Sequence, residues 1–452
     1  MAGAPRVAIV GAGPSGFYAA EALFDLGIGV EVSMIDRLPS PFGLVRSGVA
    51  PDHPNLKKPI ETYDGIARAP GFTYFGNVEV GRDVSVDELL QMHHAVVLCY
   101  GASRDTGLGI AGETLAGSHA ATEFVGWYNG HPDFRDCSFD FSQESAVIIG
   151  QGNVALDVAR ILLRGVDELR KTDIAEHALD ALAASRVREI RIVGRRGPAQ
   201  AKFTSRELGE IGSLPSADVR VSPADLVLNP ASREEAAART AVNVKKNLGI
   251  FARYALSGGG GPVACYFNFL ESPLEIGGDG RVERITLGKN RLGGEPFSQR
   301  ALATGAAREV SCGLVFRAVG YRGDALPGVP FDERRGVVRS ESGRVIGEEG
   351  AITGLYAAGW IKRGATGIIG TNRACSGETV EVLAADLPAL AQAPRGGAAA
   401  LAVLLDGRGV RSVDYTAWLR VDAEELRRGT ESGRPRCKFT RVDEMLGVAV
   451  ST

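Results

Sequence analysis

A chain that uses one local device twice, an apolar run, a glycine turn and the opening of a helix, is constrained to build two similar α/β units. The first copy is Val7-Ala8-Ile9-Val10-Gly11-Ala12-Gly13-Pro14-Ser15-Gly16. The second is Val147-Ile148-Ile149-Gly150-Gln151-Gly152-Asn153-Val154-Ala155-Leu156-Asp157. In such a turn the first glycine permits the tight bend and the second lets the backbone approach a pyrophosphate. The third place lets the helix pack closely on the strand. The phosphates then rest on the helix N-terminus. Ala155 fills the third place of the second copy, a variation the pattern allows. Two turns imply two bound dinucleotides, with the chemistry where they meet.

The strand after each turn separates the two sites. After the first turn, the strand expected over Val30 to Ile35 ends in Asp36. An acid about 20 residues past the turn accepts hydrogen bonds from an adenosine ribose and disfavours a 2'-phosphate, which suits FAD or NAD. After the second, the strand expected over Glu189 to Val193 ends in Gly194-Arg195-Arg196-Gly197. Guanidinium forks there suit the 2'-phosphate of NADP, although a solvated surface turn would also carry them. The spacing to these arginines is roughly twice the usual value of about 20 residues. The excess, Gly165 to Arg186, carries Leu169, Ile174, Ala178, Leu179 and Leu182 at helical spacing and is expected to be a helical insertion.

Composition removes several classes. The 51 basic and 54 acidic residues leave a net charge of -3, without the basic excess that duplex binding uses. No run of 18 apolar residues occurs, and the first strand begins near Arg6, so neither a membrane span nor a leader is expected and a cytoplasmic location is. Six cysteines stand at Cys99, Cys137, Cys265, Cys312, Cys375 and Cys437, none in a Cys-x-x-Cys pair. Zinc, an iron-sulfur cluster and a redox dithiol are therefore not expected, and the thiols read as structural.

Between the two turns lies Leu38 to Pro59, a long loop punctuated by Pro39, Pro41, Gly43, Gly48, Pro51 and Pro54. Within it, Pro41-Phe42-Gly43-Leu44-Val45-Arg46 and Gly48-Val49-Ala50-Pro51-Asp52-His53-Pro54 resemble the adrenodoxin reductase family of ferredoxin-NADP reductases. The stretches Gly76 to Asp83, Ala95 to Ala102, Gly126 to Gly130, Gly354 to Gly364, Thr366 to Asn372 and Gly407 to Gly433 extend the resemblance over nearly the whole chain. Two departures are Ala365, where proline is more usual, and Gly370-Thr371-Asn372. Trp360 stands where related flavoproteins often carry an acid, which is a trait of this family.

The resemblance implies an α/β fold with two Rossmann-like domains. The NADP domain (103–328) is inserted into a discontinuous FAD domain (1–102 and 329–452) with a C-terminal tail. It places FAD on Gly11, Gly13, Ser15, Gly16, Asp36, Leu44, Val80, Trp360, Gly367, Ile368 and Ile369. It places NADP on Gln151, Gly152, Asn153, Val154, Arg195, Arg196, Glu207 and Gly367. His53, Asp157 and Glu210 are implied near the meeting point of flavin and nicotinamide. From the residues alone, His53 is equally a loop histidine satisfied locally, and Glu207 and Glu210 an exposed helix face with Arg206. The implied activity is hydride transfer from NADPH to FAD, then single-electron transfer to a small acidic ferredoxin, supplying a cytochrome P450 or another ferredoxin-dependent enzyme. Positions Arg239, Lys245, Lys246 and Arg253 are the candidate docking patch, and a monomer is expected.

Two other readings use the same two sites: an NADPH-dependent flavin monooxygenase, and a nucleotide-bound redox sensor without turnover. For the remainder of the chain, Val221 to Gly323 reads as short strands with turns. Ser257 to Pro262 reads as a flexible connection and Gln392 to Ala400 as a linker.

Overall fold

The computed structural model describes residues 4–256 and 260–450. The chain divides into two compact units. One comprises residues up to 104, residues 129–135 and residues from 321 onward; the other comprises 105–128 and 136–320. The short return of 129–135 to the first unit has no signal in the sequence.

The first unit is built on a seven-stranded sheet. Its order is Ser340–Glu341, Arg344–Gly347, Gly350–Ala357, Ala95–Leu98, Arg6–Val10, Glu31–Ile35 and Phe72–Phe75. The last five of these pair in parallel, and the first three form an antiparallel edge. The central strands are near-continuous apolar runs, Val7, Ala8, Ile9 and Val10 beside Ala95, Val96, Val97 and Leu98, because helices cover both faces and no side is left for water. The helix Pro14–Asp25 starts on Gly13 with proline at its first position, where a missing N–H costs nothing. It packs against the long helix Thr371–Leu390, with Phe17, Ala20, Leu23, Val380, Leu383 and Leu387 in one core.

The second unit carries a six-stranded parallel sheet. Its order is Ser118–Ala120, Leu314–Arg317, Ser145–Ile149, Glu189–Gly194, Val263–Phe269 and Ala217–Val221. A separate antiparallel sheet of Glu271–Gly277, Arg284–Gly293 and Arg300–Ser311 leans on it through Ile276, Ile285, Leu287 and Val310. The expected insertion is helical, over Val166–Leu169 and Glu176–Ala183. Its leucines are buried at the positions the spacing indicates, Leu169, Leu179 and Leu182.

Three expectations are corrected. The stretch from Val221 is not strands alone: it opens with the helices Pro230–Ala237 and Val242–Leu256, and two of the later strands run to 10 and 12 residues. Asn229 caps the first of these helices by accepting from the Ser232 N–H, a signal that is readable in Asn-Pro followed by helix formers. The alanine-glycine stretch over 392–400 is partly helical, since the helix Gly397–Gly407 begins within it. The proline-rich loop holds a short helix, Leu44–Ser47, and a 3-10 turn, Pro54–Lys57. Of the connection expected over 257–262, residues 257–259 lie outside the described residues. No helix among the described residues is long and apolar enough to cross a membrane.

Candidate functional site

The first glycine turn has the geometry its sequence requires. Gly11 sits at φ 107°, and a Cβ there would stand 2.6 Å from the Cys99 carbonyl oxygen. At Gly16 a Cβ would stand 2.1 Å from the Gly11 carbonyl oxygen, so the helix touches the turn through bare backbone. Gly13 faces open space, with nothing within 4 Å of its would-be Cβ. That opening, at the start of a helix whose first N–H groups lack partners inside the helix, is a fit for a pyrophosphate. Both oxygens of Asp36 accept backbone N–H groups, from Ala12 at 2.8 Å and Leu38 at 3.0 Å. Burial nevertheless raises its carboxyl above the ordinary value. The acid thus fastens the turn to the end of the next strand, a role beyond the one its spacing suggests.

The loop after Asp36 lies on this turn. The Phe42 N–H donates to the Ala12 carbonyl at 2.7 Å, and a Cβ on Gly43 would come 3.0 Å from the Gly13 Cα. Leu44 is half exposed, while Val80 and His53 are buried. His53 precedes the 3-10 turn Pro54–Lys57 and is not without a partner within the protein.

From the returning strand, Gly359 crosses Ser15 so closely that a Cβ would stand on its hydroxyl. Ser15 Oγ donates to Asn372 Oδ1 at 3.1 Å, and Ser376 Oγ donates to the Ser15 carbonyl at 2.9 Å. Arg363 Nη2 donates to the same Asn372 oxygen at 2.7 Å. Ser15, Gly359, Arg363 and Asn372 therefore form one polar joint between the first turn and the helix Thr371–Leu390. Of these, only Ser15 is in the expected site; Gly359, Arg363 and Asn372 are marked only by their place beside Trp360 and Thr366-Gly367. Trp360 donates its indole N–H to the Thr366 carbonyl at 3.2 Å and lies 5.6 Å from the Tyr321 ring. Gly367 takes φ 84°, Ile368 is 69% exposed, and Ile369 packs on the core.

The second turn repeats the pattern. Gly150 is closed, its would-be Cβ 2.3 Å from the Ala318 carbonyl oxygen, while Gly152 faces open space. Gln151 folds over Gly194 and reaches the Arg196 carbonyl at 3.5 Å. Asn153 Oδ1 accepts the Thr204 N–H at 2.9 Å. Both residues tie the turn to the two segments expected to enclose the nucleotide. Val154 opens the helix Asn153–Leu163 and is half-buried. The backbone of the arginine pair is fixed: the Arg195 carbonyl accepts from Asn290 and the Arg196 carbonyl from the Leu270 N–H. Neither guanidinium has an ion pair or hydrogen bond among the described residues, and Arg195 is exposed.

The helices Asn153–Leu163 and Ser205–Ile211 bring three expected acids together. Asp157 pairs with the fully buried Arg160 at 2.6 Å. Glu210 accepts from Arg206 at 3.1 Å. Glu207 lies between them, half-buried, with Oε2 unpartnered among the described residues. Burial first, and then the Asp157 charge, push its carboxyl up to about 7, against the lowering influence of Arg160. A buried carboxyl poised near neutrality is the kind of group that functional sites use. Of the residues expected at the flavin-nicotinamide meeting point, His53 belongs to the first unit and Asp157 and Glu210 to the second.

The basic patch sits on and before the helix Val242–Leu256. Arg239, Lys245, Lys246 and Arg253 are all exposed, and Lys245 Nζ also donates to the Ala237 and Ala238 carbonyls at the end of the preceding helix.

Comparison with known proteins places the chain. The family described as NAD(P)-binding Rossmann-like domain matches residues 9–72. The mitochondrial NADPH:adrenodoxin oxidoreductase of Salvelinus fontinalis is 43% identical, over 99% of this chain and 92% of its own. NADPH-ferredoxin reductase FprA of Mycobacterium tuberculosis is 43% identical, over 98% of this chain and 99% of its own. The solved structure of M. tuberculosis FprA in complex with NADPH matches with a TM-score of 0.93 at 42% identity, covering 99% of this chain and 100% of that one. The chain is an oxidoreductase and belongs to the family of NADPH:adrenodoxin oxidoreductases and FprA-type NADPH-ferredoxin reductases.

Proposed function

We propose that this protein is an NADPH-ferredoxin reductase that takes reducing equivalents from NADPH and passes them one at a time to a small acidic iron-sulfur protein. The observation that carries this reading is the paired design of the two glycine turns. Each is closed at its first glycine and open at its second, one followed by a carboxylate fastened to the turn, the other by two guanidiniums without partners among the described residues. FAD, when bound, supplies the conversion between two-electron and one-electron transfer.

The chain's own residues bind, orient and tune. The open backbone at Gly13, with the N–H groups of Ser15 and Gly16, takes the FAD pyrophosphate. Asp36 takes the ribose with the lone pairs its two backbone donors leave. Leu44, Val80, Trp360, Gly367, Ile368 and Ile369 line the flavin's place. Gln151, Gly152, Asn153 and Val154 cradle the NADP pyrophosphate, and Arg195 and Arg196 grip the 2'-phosphate. Glu207, protonated in part at neutral pH, spares the coenzyme a full negative charge beside it. Asp157 and Glu210 in the second unit, and His53 in the first, tune protonation beside the cofactor that each unit holds.

The acceptor docks on Arg239, Lys245, Lys246 and Arg253 by a weak, steered encounter, since it must leave after each electron. It then supplies a cytochrome P450 or another ferredoxin-dependent enzyme. The protein acts as a monomer in the cytoplasm, a reducing compartment that suits six free cysteines. The test is the identity of the bound nucleotide and the coenzyme preference. Acid should release FAD into the supernatant, and NADPH should reduce it far faster than NADH. A chain that retains its flavin in the pellet, releases FMN, or uses both coenzymes equally contradicts the proposal.

A further inference from the structure

The segment that lies on the first glycine turn does not hold its shape by itself. Phe42 and Gly43 take φ of 82° and 48°, and a phenylalanine at positive φ persists only where its surroundings over-determine it. Phe42 is held on the turn by its N–H bond to the Ala12 carbonyl and by the Phe17, Tyr63 and Trp418 rings, and a further anchor for the segment comes from the far end of the chain. Arg46, on the short helix Leu44–Ser47, is 7% exposed and forks onto Glu425 with hydrogen bonds of 2.8 and 2.6 Å, between residues 379 apart. Its guanidinium also lies 5.0 Å over the Trp418 ring. Glu425 stands fully buried on the helix Tyr415–Glu431. Beyond the two bonds from Arg46, it accepts one from Arg436 Nη1 at 2.8 Å and one from the Phe439 N–H at 2.8 Å. Lys438, buried as well, donates to the Arg46 carbonyl at 3.3 Å and the Asn129 carbonyl at 2.9 Å.

One carboxylate thus gathers the loop, a helix of the C-terminal region and the tail after it. The cations it faces are Arg46 and Arg436, and Arg436 has one further acid, Asp422, at 2.7 Å. A buried pair of this kind adds little net stability over an apolar replacement, but breaking it from one side strands the partner charge and releases the geometry it fixed.

We infer that Glu425 is a positioning residue for the flavin: by pinning Arg46 it holds the Phe42 to Ser47 segment over Gly13 and sets how long FAD is retained. This rests on the first glycine turn being the FAD site. It makes the C-terminal tail part of the cofactor's retention device, although the tail contains no nucleotide motif.

The test compares the wild-type holoenzyme with Glu425→Gln, Arg436→Lys and, as a control, Glu271→Gln. Glu271 is an almost equally buried acid, bound to Arg308 at 2.9 and 2.7 Å within the second unit. Two quantities are read: the rate of FAD release on dilution, followed by flavin fluorescence, and amide exchange across residues 42–47. Glu425→Gln should release FAD at least about tenfold faster, equivalent to about 1.4 kcal/mol of barrier, with faster exchange across 42–47. Arg436→Lys, which keeps the charge but removes the guanidinium whose Nη1 bonds both Glu425 and Asp422, should shift both in the same direction by less. Glu271→Gln should lower the melting temperature and leave FAD release unchanged. Wild-type release from Glu425→Gln overturns the inference, as does wild-type release from Arg436→Lys should the glutamine variant not fold. Equal acceleration in the Glu271→Gln control also overturns it. A wild-type protein that binds no FAD overturns the flavin assignment itself, which the variants alone do not.

Discussion

On the proposed reading, single residues carry the coenzyme choice. Arg195 and Arg196 have fixed backbones and side chains without partners among the described residues, so on that reading an alanine at either place removes a phosphate ligand and little else. A charge-assisted hydrogen bond is worth about 1.5 to 3 kcal/mol, so each replacement should raise the KM for NADPH roughly ten- to hundredfold and leave NADH nearly unaffected. Equal losses for the two coenzymes would show that these arginines support the fold instead. Glu207 predicts a pH dependence with a definite sign. Its carboxyl sits at about 7, so it is neutral below that and charged above it, and affinity for the anionic NADP should fall as pH rises from 6 to 8. Glu207→Gln should flatten that profile; an unchanged slope, measured by calorimetric titration, places the titrating group elsewhere. The arginine pair is legible in the sequence because it comes directly after a strand and glycine turn. The poise of Glu207 is not, because it comes from a facing helix some fifty positions earlier that buries it beside Asp157.

At the scale of elements, the glycines of each turn divide into those the fold needs and those the ligand needs. Gly16→Ala and Gly150→Ala would drive a Cβ to 2.1 and 2.3 Å from carbonyl oxygens, and should lower stability by several kcal/mol or prevent folding. Gly13→Ala and Gly152→Ala meet only open space. They should melt within a few degrees of wild type yet lose affinity for FAD and NADP respectively, which thermal melts and nucleotide titrations separate. The turns, the strands on either side and the helical insertion are readable because periodicity and glycine placement are local. The helix Pro230–Ala237 is signalled by Asn229-Pro230 but, like Val242–Leu256, is overshadowed by the strands after it, which dominate the pattern of the region. The clamp on Arg46 is invisible for a different reason: nothing local to the proline-rich loop announces an acid 379 positions away.

For the molecule as a whole, delivering electrons singly requires an encounter steered by charge with an acceptor that is released after each one. The screening length is about 8 Å at physiological ionic strength, so added salt should slow ferredoxin-dependent turnover while leaving ferricyanide reduction largely unchanged. The double charge reversal Lys245→Glu with Lys246→Glu should imitate high salt; an unaltered salt slope would move the docking face away from the helix Val242–Leu256. The proposed passage of electrons from NADPH through a bound flavin to a one-electron acceptor is tested most directly by one spectroscopic sequence. The purified protein is titrated anaerobically with NADPH, and an oxidised ferredoxin is then added. The flavin's visible absorption should bleach within the time of catalytic turnover and return as the ferredoxin is reduced, two ferredoxins for each NADPH. Absorption that bleaches but returns only when oxygen is admitted, or that NADPH leaves unchanged, would contradict it.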